Sequence, residues 1–265
     1  MKPRPETTTR PRGSKVIEPD GDRQLRQIKW AKGPQYPVFP DYEEAMLPNG
    51  ESVLVVAKGK GAEAGEFCVP PKPDAPRQAT KVAVDWDDTA LDLRFTCVDK
   101  DLVGVETGAD NIKLWRDDSV YVWLDSGHSH NADNKSVMVQ LSSSGAWHDI
   151  RNGDPAFDVA GLKTEVAKTA DGWTARLRIP WQGLGVSAPA AADVWGVNFI
   201  RTDQPGKADH DRMQMSSWVK LPMGSDPTTL GRYGHLIFAP AGDEAAVEKG
   251  RKAIQGRHDE VRARA

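Results

Sequence analysis

Residues 118–125 read DSVYVWLD, and their apolar side chains alternate between two faces of the chain. One face carries Val120, Val122 and Leu124, and the other carries Tyr121 and Trp123. A period of two residues is that of a β-strand, and a strand with one core-facing side is typical of an antiparallel sheet. The stretch therefore predicts a half-buried antiparallel strand.

The same period recurs on both sides of this stretch. It is found at residues 81–86, 91–97, 137–141, 173–179 and 195–200. No helical period of comparable length separates these segments, so strand–helix–strand units and a parallel sheet are not expected. About eight to ten short strands in one domain predict an all-β fold, an antiparallel β-sandwich of the jelly-roll or immunoglobulin-like type.

The flanking segments differ in composition from this central part. Residues 1–19 are basic and rich in Pro, which predicts a flexible tail before a sandwich at residues 20–240. Gly and Pro concentrate in residues 31–76, which predicts an irregular entry segment with one strand at 52–57 that covers a sheet edge. The densely charged residues 241–265 predict a short C-terminal helix.

An apolar stripe runs along this predicted helix. Val247, Ile254 and Val261 are spaced seven residues apart, which places them on one side of a helix. A surface helix laid along the domain and an oligomerising helix both fit this spacing.

Composition excludes several classes of protein. The net charge of −3 argues against a general nucleic-acid binder. No run approaches the roughly 20 apolar residues that a membrane helix needs, and the first 15 residues lack the apolar core of a signal peptide. Cys68 and Cys97 are the only cysteines, which excludes a disulfide-rich scaffold and leaves one disulfide between them open.

Tryptophan is unusually frequent, with nine Trp against six Phe and four Tyr. Such an excess indicates either a core built on Trp or flat aromatic platforms for a ligand. Trp86, Trp173 and Trp195 fall on apolar strand faces, so we expect them in the core.

The sequence carries no recognisable catalytic motif, and we expect a non-catalytic protein rather than an enzyme. The strongest polar cluster lies in one predicted loop and contains Asp125, His128, His130 and Asp133. Two His at i and i+2 with flanking Asp could hold a divalent metal, although a polar turn explains the same residues.

Five motifs occur in the order found in a known family: residues 114–125, 171–185, 195–203, 216–218 and 231–238. Together the chain resembles the family 9 carbohydrate-binding modules and their DOMON-like relatives over residues 20–240. The resemblance implies a sugar-binding β-sandwich, often with a structural calcium, that works beside secreted polysaccharide-degrading systems. It thus implies an extracellular or periplasmic location.

The resemblance also implies candidate ligand residues. Trp115 matches the first Trp of the family's sugar slot, but residues 222–234, where the second should lie, contain no Trp. Other aromatic platforms are then needed, and Arg201 could bond hydroxyls or form a strand-end salt bridge. The candidate platforms are Tyr121, Trp123, Trp147 and Trp218.

Two other functions remain open at this point. A DOMON-type electron-transfer domain would bind haem through Met or His, with Met138, His210, Met213 and Met215 as candidates. A glycan-active enzyme would use a metal held at the loop of His128 and His130.

Overall fold

The computed structural model describes residues 52–70, 74–130, 136–206, 213–220 and 233–264. The predicted flexible tail and most of the entry segment lie outside the described residues. Within them, the chain forms twelve strands in two sheets, together with two α-helices and one 3-10 helix. The all-β prediction is confirmed.

The larger sheet has seven strands in the order β1-β12-β10-β5-β6-β7, with β11 also paired to β10. Its neighbours are antiparallel except β1 and β12, which run parallel. Its strands are β1 (Val53–Val56), β5 (Ser119–Asp125), β6 (Ser136–Ser142), β7 (Trp147–Arg151), β10 (Val194–Asp203), β11 (Gln214–Ser217) and β12 (Gly234–Phe238).

The smaller sheet has five strands, all antiparallel, in the order β2-β3-β4-β9-β8. Its strands are β2 (Ala62–Ala64), β3 (Thr80–Trp86), β4 (Ala90–Val98), β8 (Lys163–Thr169) and β9 (Gly172–Pro180). A short helix α1 (Trp181–Leu184) follows β9, and the 3-10 helix Leu114–Arg116 precedes β5.

The core lies between the two sheets and is built from the predicted inward faces. Val120, Val122 and Leu124 of β5 are buried there. Trp173 and Trp195 are buried, and Trp86 packs against the same core, as predicted. Edge-on ring contacts join Trp86, Trp181, Trp195 and Phe238, so much of the tryptophan excess is scaffold.

Strands that are short or lie at a sheet edge do not show the two-residue alternation in the sequence and are not predicted from it. β8 exposes most of its side chains because it ends the smaller sheet, so it shows no apolar face. β7 has only five residues, and none of the segments with a two-residue period in the sequence includes its His148 and Asp149. By contrast, β1 forms where a strand was predicted and covers the edge of β12.

The C-terminal helix α2 (Glu244–Arg264) packs on the outer side of the larger sheet. Gly250 faces Ile237 of β12 so closely that an added Cβ would lie 2.6 Å from Ile237 Cγ2. Ile254 is buried and Val247 half-buried, so the apolar stripe is used within the chain. The side chain of Val261 lies outside the described part.

The structure shows the state of the two cysteines. Cys68 and Cys97, both in the described part, are buried and not joined by a disulfide. Burial raises the pKa of the Cys97 thiol to about 12.

Among the described helices, none is long and apolar enough to cross a membrane.

Candidate functional site

A cleft of about 620 Å³ opens beside Trp218, just after β11. Backbone and side chains of β1 and β2 form its walls, because these two strands lie at edges of the two sheets. Its lining residues are Ser52, Val53, Leu54, Glu63, Gly65, Glu66, Lys81, Trp218 and Lys220. The cleft therefore combines one aromatic ring with two carboxylates and two ammonium groups.

Contacts with Phe199 and Gly234 hold the Trp218 ring in place. The ring lies 5.5 Å from the Phe199 ring, between centroids, and its backbone N–H donates to the Phe199 carbonyl oxygen at 2.9 Å. A Cβ at position 234 would lie 2.8 Å from the Trp218 ring, so only glycine fits there. The ring is half-buried, which leaves part of it to contact a ligand in the cleft.

The charged residues of the cleft lie at its rim. Lys81 Nζ and a Glu63 carboxylate oxygen form an exposed ion pair at 2.8 Å. Glu66 and Lys220 are also exposed, and Glu66 has a left-handed backbone with φ of 57°. These groups can accept and donate hydrogen bonds without a large desolvation cost, because water already reaches them.

Trp115 lies in a different part of the chain, in the 3-10 helix before β5. Its side chain is 39% exposed, and nearby in sequence Val105 and Ile112 are exposed as well. The Gln204 side-chain amide donates to the Trp115 carbonyl oxygen at 2.6 Å, which ties this helix to the end of β10. Residues 221–232, where a second slot residue is expected, lie outside the described part.

The other predicted platforms are spread over the larger sheet. Thr202 Oγ1 and the Tyr121 hydroxyl lie 3.1 Å apart on neighbouring strands. Trp123 is half-buried, with its ring centroid 6.4 Å from that of Tyr233. Trp147 is half-buried and packs against the core. These side chains do not line the cleft at Trp218.

Arg201 does not face a ligand site, which corrects its prediction as a ligand residue. Its side chain is fully buried and donates to carboxylate oxygens of Asp99 at 2.7 Å and Asp203 at 3.3 Å. It also donates to the Val98 carbonyl oxygen at 2.7 Å, so it joins β10 to the smaller sheet. The strand-end salt bridge is the alternative that the structure shows.

Asp118 adds a third buried carboxylate beside this ion pair. The backbone N–H groups of Val103 and Gln204 donate to its two oxygens at 2.6 and 2.9 Å. Burial, together with the neighbouring Asp99, raises the pKa of Asp118 to about 7. This acidic group is thus held by Arg201 and by backbone amides.

The predicted metal residues meet a third histidine. Asp125, His128 and His130 lie at the end of β5 and in the following loop, while His235 comes from β12. His128 Nε2 lies 2.8 Å from His235 Nδ1, and the three rings are mutual neighbours with centroids 4.6 to 5.1 Å apart. Asp133 lies outside the described residues. The sequence signal for His235 was only its place in the motif at 231–238.

A separate carboxylate cluster lies near the start of the 3-10 helix and at β7. Donor oxygens of Asp110, Asp149 and Asp158 lie within 4.8 Å of one another. Asp149 is fully buried, and its Oδ2 accepts from the Val159 N–H at 2.7 Å. Its Oδ1 has no hydrogen-bond partner in the part of the chain that the structure describes. Burial raises the pKa of Asp149 to about 6.

The candidates for haem ligation are in separate places. Met138 is buried on β6 opposite Trp123 of β5, whereas Met215 lies on β11, beyond β5 and β10 in the sheet. Met213 precedes β11, and His210 lies outside the described part.

Comparison with known proteins points in one direction. A carbohydrate-binding module of family 9 from Caldicellulosiruptor kristjanssonii, solved with cellotriose, superposes with a TM-score of 0.51 at 16% identity. The match covers 73% of this chain and 96% of the module, and the same module solved with glucose gives 0.51 as well. A Bacteroides uniformis protein proposed to bind carbohydrate superposes with a TM-score of 0.54 at 13% identity, over 71% of this chain and 99% of its own.

At these identities the superpositions show a shared fold. A search of curated protein sequences gave no significant match. The family model described as "Carbohydrate family 9 binding domain-like" matches residues 67–234, which is more than half of the chain. The five motifs, the two-sheet sandwich and this match agree, and the chain belongs to the carbohydrate family 9 binding domain-like family.

Proposed function

We propose that this protein is a non-catalytic carbohydrate-binding module that holds its sugar in the cleft at Trp218. The observation that carries the location is the concave arrangement of one aromatic ring, two carboxylates and two ammonium groups. Family membership supports the ligand class, and a relative of the same fold was solved with cellotriose and with glucose.

The chemistry of the cleft suits a pyranose. The C–H face of a sugar ring is apolar and packs on the flat face of an aromatic side chain. Its hydroxyl rim needs acceptors and donors, and charged partners make the stronger hydrogen bonds. Glu63 and Glu66 can accept from hydroxyls, while Lys81 and Lys220 can donate to them.

Titration with cellotriose and glucose, followed by intrinsic Trp fluorescence and by calorimetry, tests the proposal. We expect saturable binding, and we expect Trp218→Ala to lower the affinity at least about tenfold, because losing an aromatic anchor commonly costs about 2 kcal/mol. Trp115→Ala is the matched control, since it removes the exposed Trp that the family resemblance favours.

Two outcomes would count against the proposal in different ways. Affinity lost in Trp115→Ala and kept in Trp218→Ala would move the site to the 3-10 helix before β5. A broad panel of plant and microbial glycans that leaves the emission unchanged at roughly millimolar concentration would contradict carbohydrate binding itself.

We also propose a structural calcium at Asp110, Asp149 and Asp158. Calcium prefers six to eight oxygen ligands, and the buried Asp149 Oδ1 has no hydrogen-bond partner among the described residues. The residues therefore fit the ion. Calcium should raise the melting temperature of the wild type and leave that of Asp149→Asn unchanged; an equal effect on both would contradict this site.

The finer parts of the function are proposed on family membership. We place the protein in the periplasm or outside the cell, beside polysaccharide-degrading enzymes. The same membership favours sugar binding over haem-based electron transfer and over a metal-assisted glycan enzyme. Fractionation of the native host is the direct check, since a cytoplasmic pool alone would contradict this placement.

A further inference from the structure

Two neighbouring histidines of one loop meet a third histidine, 107 residues away from His128, on the outer side of the larger sheet. Gly196 of β10 pairs with Asp125 of β5 on one side and with His235 of β12 on the other. The loop after Asp125 therefore begins two strands away from His235, and it carries His128 and His130 back toward β12. The absence of a side chain at Gly196 leaves this crossing open.

The donor atoms are close enough to share one ion. One ring nitrogen of each histidine lies within 4.8 Å of the other two. Zinc binds imidazole nitrogen at 2.0–2.1 Å, so ligand atoms in a tetrahedral site are about 3.4 Å apart. Adjustments of about an ångström in the rings bring the three nitrogens to that spacing.

The loop is built so that both histidines point inward. His128 and His130 are each 7% exposed and adopt left-handed backbones, with φ of 49° and 52°. That conformation is uncommon outside glycine and is kept only where the surroundings over-determine it. Asp125 helps to hold it, because its buried carboxylate accepts the His130 N–H at 2.7 Å and the Ser129 hydroxyl at 3.2 Å.

The donor set selects the type of metal. Imidazole nitrogen suits zinc and similar borderline transition metals, whereas calcium and magnesium require oxygen. The buried Asp125 carboxylate next to the rings supplies negative charge, and three protein ligands leave a fourth position for a small ligand. The low exposure of the rings favours a structural role over a catalytic one.

We propose that His128, His130 and His235 form a zinc site that fastens the loop after β5 to β12. None of the three histidines lines the cleft at Trp218, and the proposal does not depend on carbohydrate binding. The bound ion also stabilises the neighbouring part of α2, where the His258 ring lies 5.9 Å from that of His235.

Metal binding by the full chain, prepared without a histidine tag and stripped by a chelator, tests the site. We expect one zinc ion per chain, a rise in melting temperature with zinc but not with magnesium, and a visible absorption spectrum of tetrahedral type with cobalt. His130→Asn should lower the zinc affinity at least about tenfold, the smallest loss typical even of an outer partner. Asn is chosen because it tolerates the left-handed backbone.

His148→Asn is the matched control, because His148 is buried to the same 7% but belongs to β7. It should bind zinc like the wild type. If His130→Asn does not fold, His128→Asn replaces it. A stripped wild type that takes up no zinc, or equal zinc affinity in the cluster variant and in His148→Asn, would overturn the proposal.

Discussion

The outer faces of the two sheets differ in what covers them. On the smaller sheet the outer face is a charged, solvent-accessible ladder in which Arg94 and Arg176 meet Asp92. On the larger sheet the outward residues Gln140, Asn198 and His235 are buried. Both faces carry polar residues, yet on the larger sheet these three are withdrawn from water.

This difference explains where the unusual chemistry lies. A polar group on a buried face needs a partner, and Gln140 finds one by donating to the Ser119 hydroxyl at 3.0 Å, as Asn198 does by accepting the Val219 N–H at 3.3 Å. The histidine cluster lies on this face too. On the outer face of the smaller sheet, by contrast, the Arg94 and Arg176 side chains that pair with Asp92 still reach water.

The largest contrast is expected between two arginines. Arg201→Met should lower the free energy of unfolding by about 3–5 kcal/mol, because it leaves the buried Asp99 without its cation, while Asp203 keeps only Arg77. Arg94→Met, which removes a 57% exposed side chain from an ion pair with Asp92, should change it by about 1 kcal/mol or less. Urea denaturation measures both, and similar losses would show that the two environments are equivalent.

Two glycines of α2 should respond with opposite signs. Gly250→Ala should destabilise by about 1–3 kcal/mol, because its Cβ would meet Ile237 of β12 at 2.6 Å and overpack the face. Gly256→Ala, which has open space at its Cβ, should stabilise by up to about 1 kcal/mol through helix propensity alone. Thermal unfolding gives the signs. Stabilisation by both would mean that α2 does not cover the larger sheet.

A smaller, pH-dependent effect is expected at Asp118. Its pKa is raised to about 7 in the folded state, so the stability that it contributes is full below pH 3.8 and is lost as pH rises through 7. Raising the pH from 5 to 8 should therefore lower the unfolding free energy of the wild type, relative to that of Asp118→Asn, by about 1 kcal/mol or more. The exposed Asp88→Asn is the control, and a pH-independent difference at Asp118 would contradict the shift.

The sequence predicts the strands that pack one apolar face on the core between the two sheets. β3, β4, β5, β6, β9 and β10 alternate because each has one face on the core, and this pattern survives in the residues themselves. Burial of the second face of the larger sheet leaves no such trace, since Asn198 and Gln140 look like surface residues.

The candidate sites are likewise predictable only in part, because strand pairing brings together residues that are distant in sequence. Asp125, His128 and His130 were predictable as a polar group because they are close in sequence. His235, 107 residues from His128, joins them only through the pairing of both strands with β10. The cleft at Trp218 is formed around β1, β2 and the end of β11, strands in which the alternation is short or absent. Trp218 was therefore predictable as a candidate ligand residue, but the residues that surround it were not.

An amide-resolved NMR titration of the full chain with cellotriose tests the carbohydrate site most directly. It reports in one experiment on the residues of the cleft, on those around Trp115 and on those of β9. We expect saturable shifts of the Gly65 and Lys220 amides and of the Trp218 indole N–H, with the amides of Thr174 and Arg176 on β9 unchanged. Shifts confined to Ile112 and Trp115, or to Thr174 and Arg176, would contradict the cleft at Trp218 as the binding site.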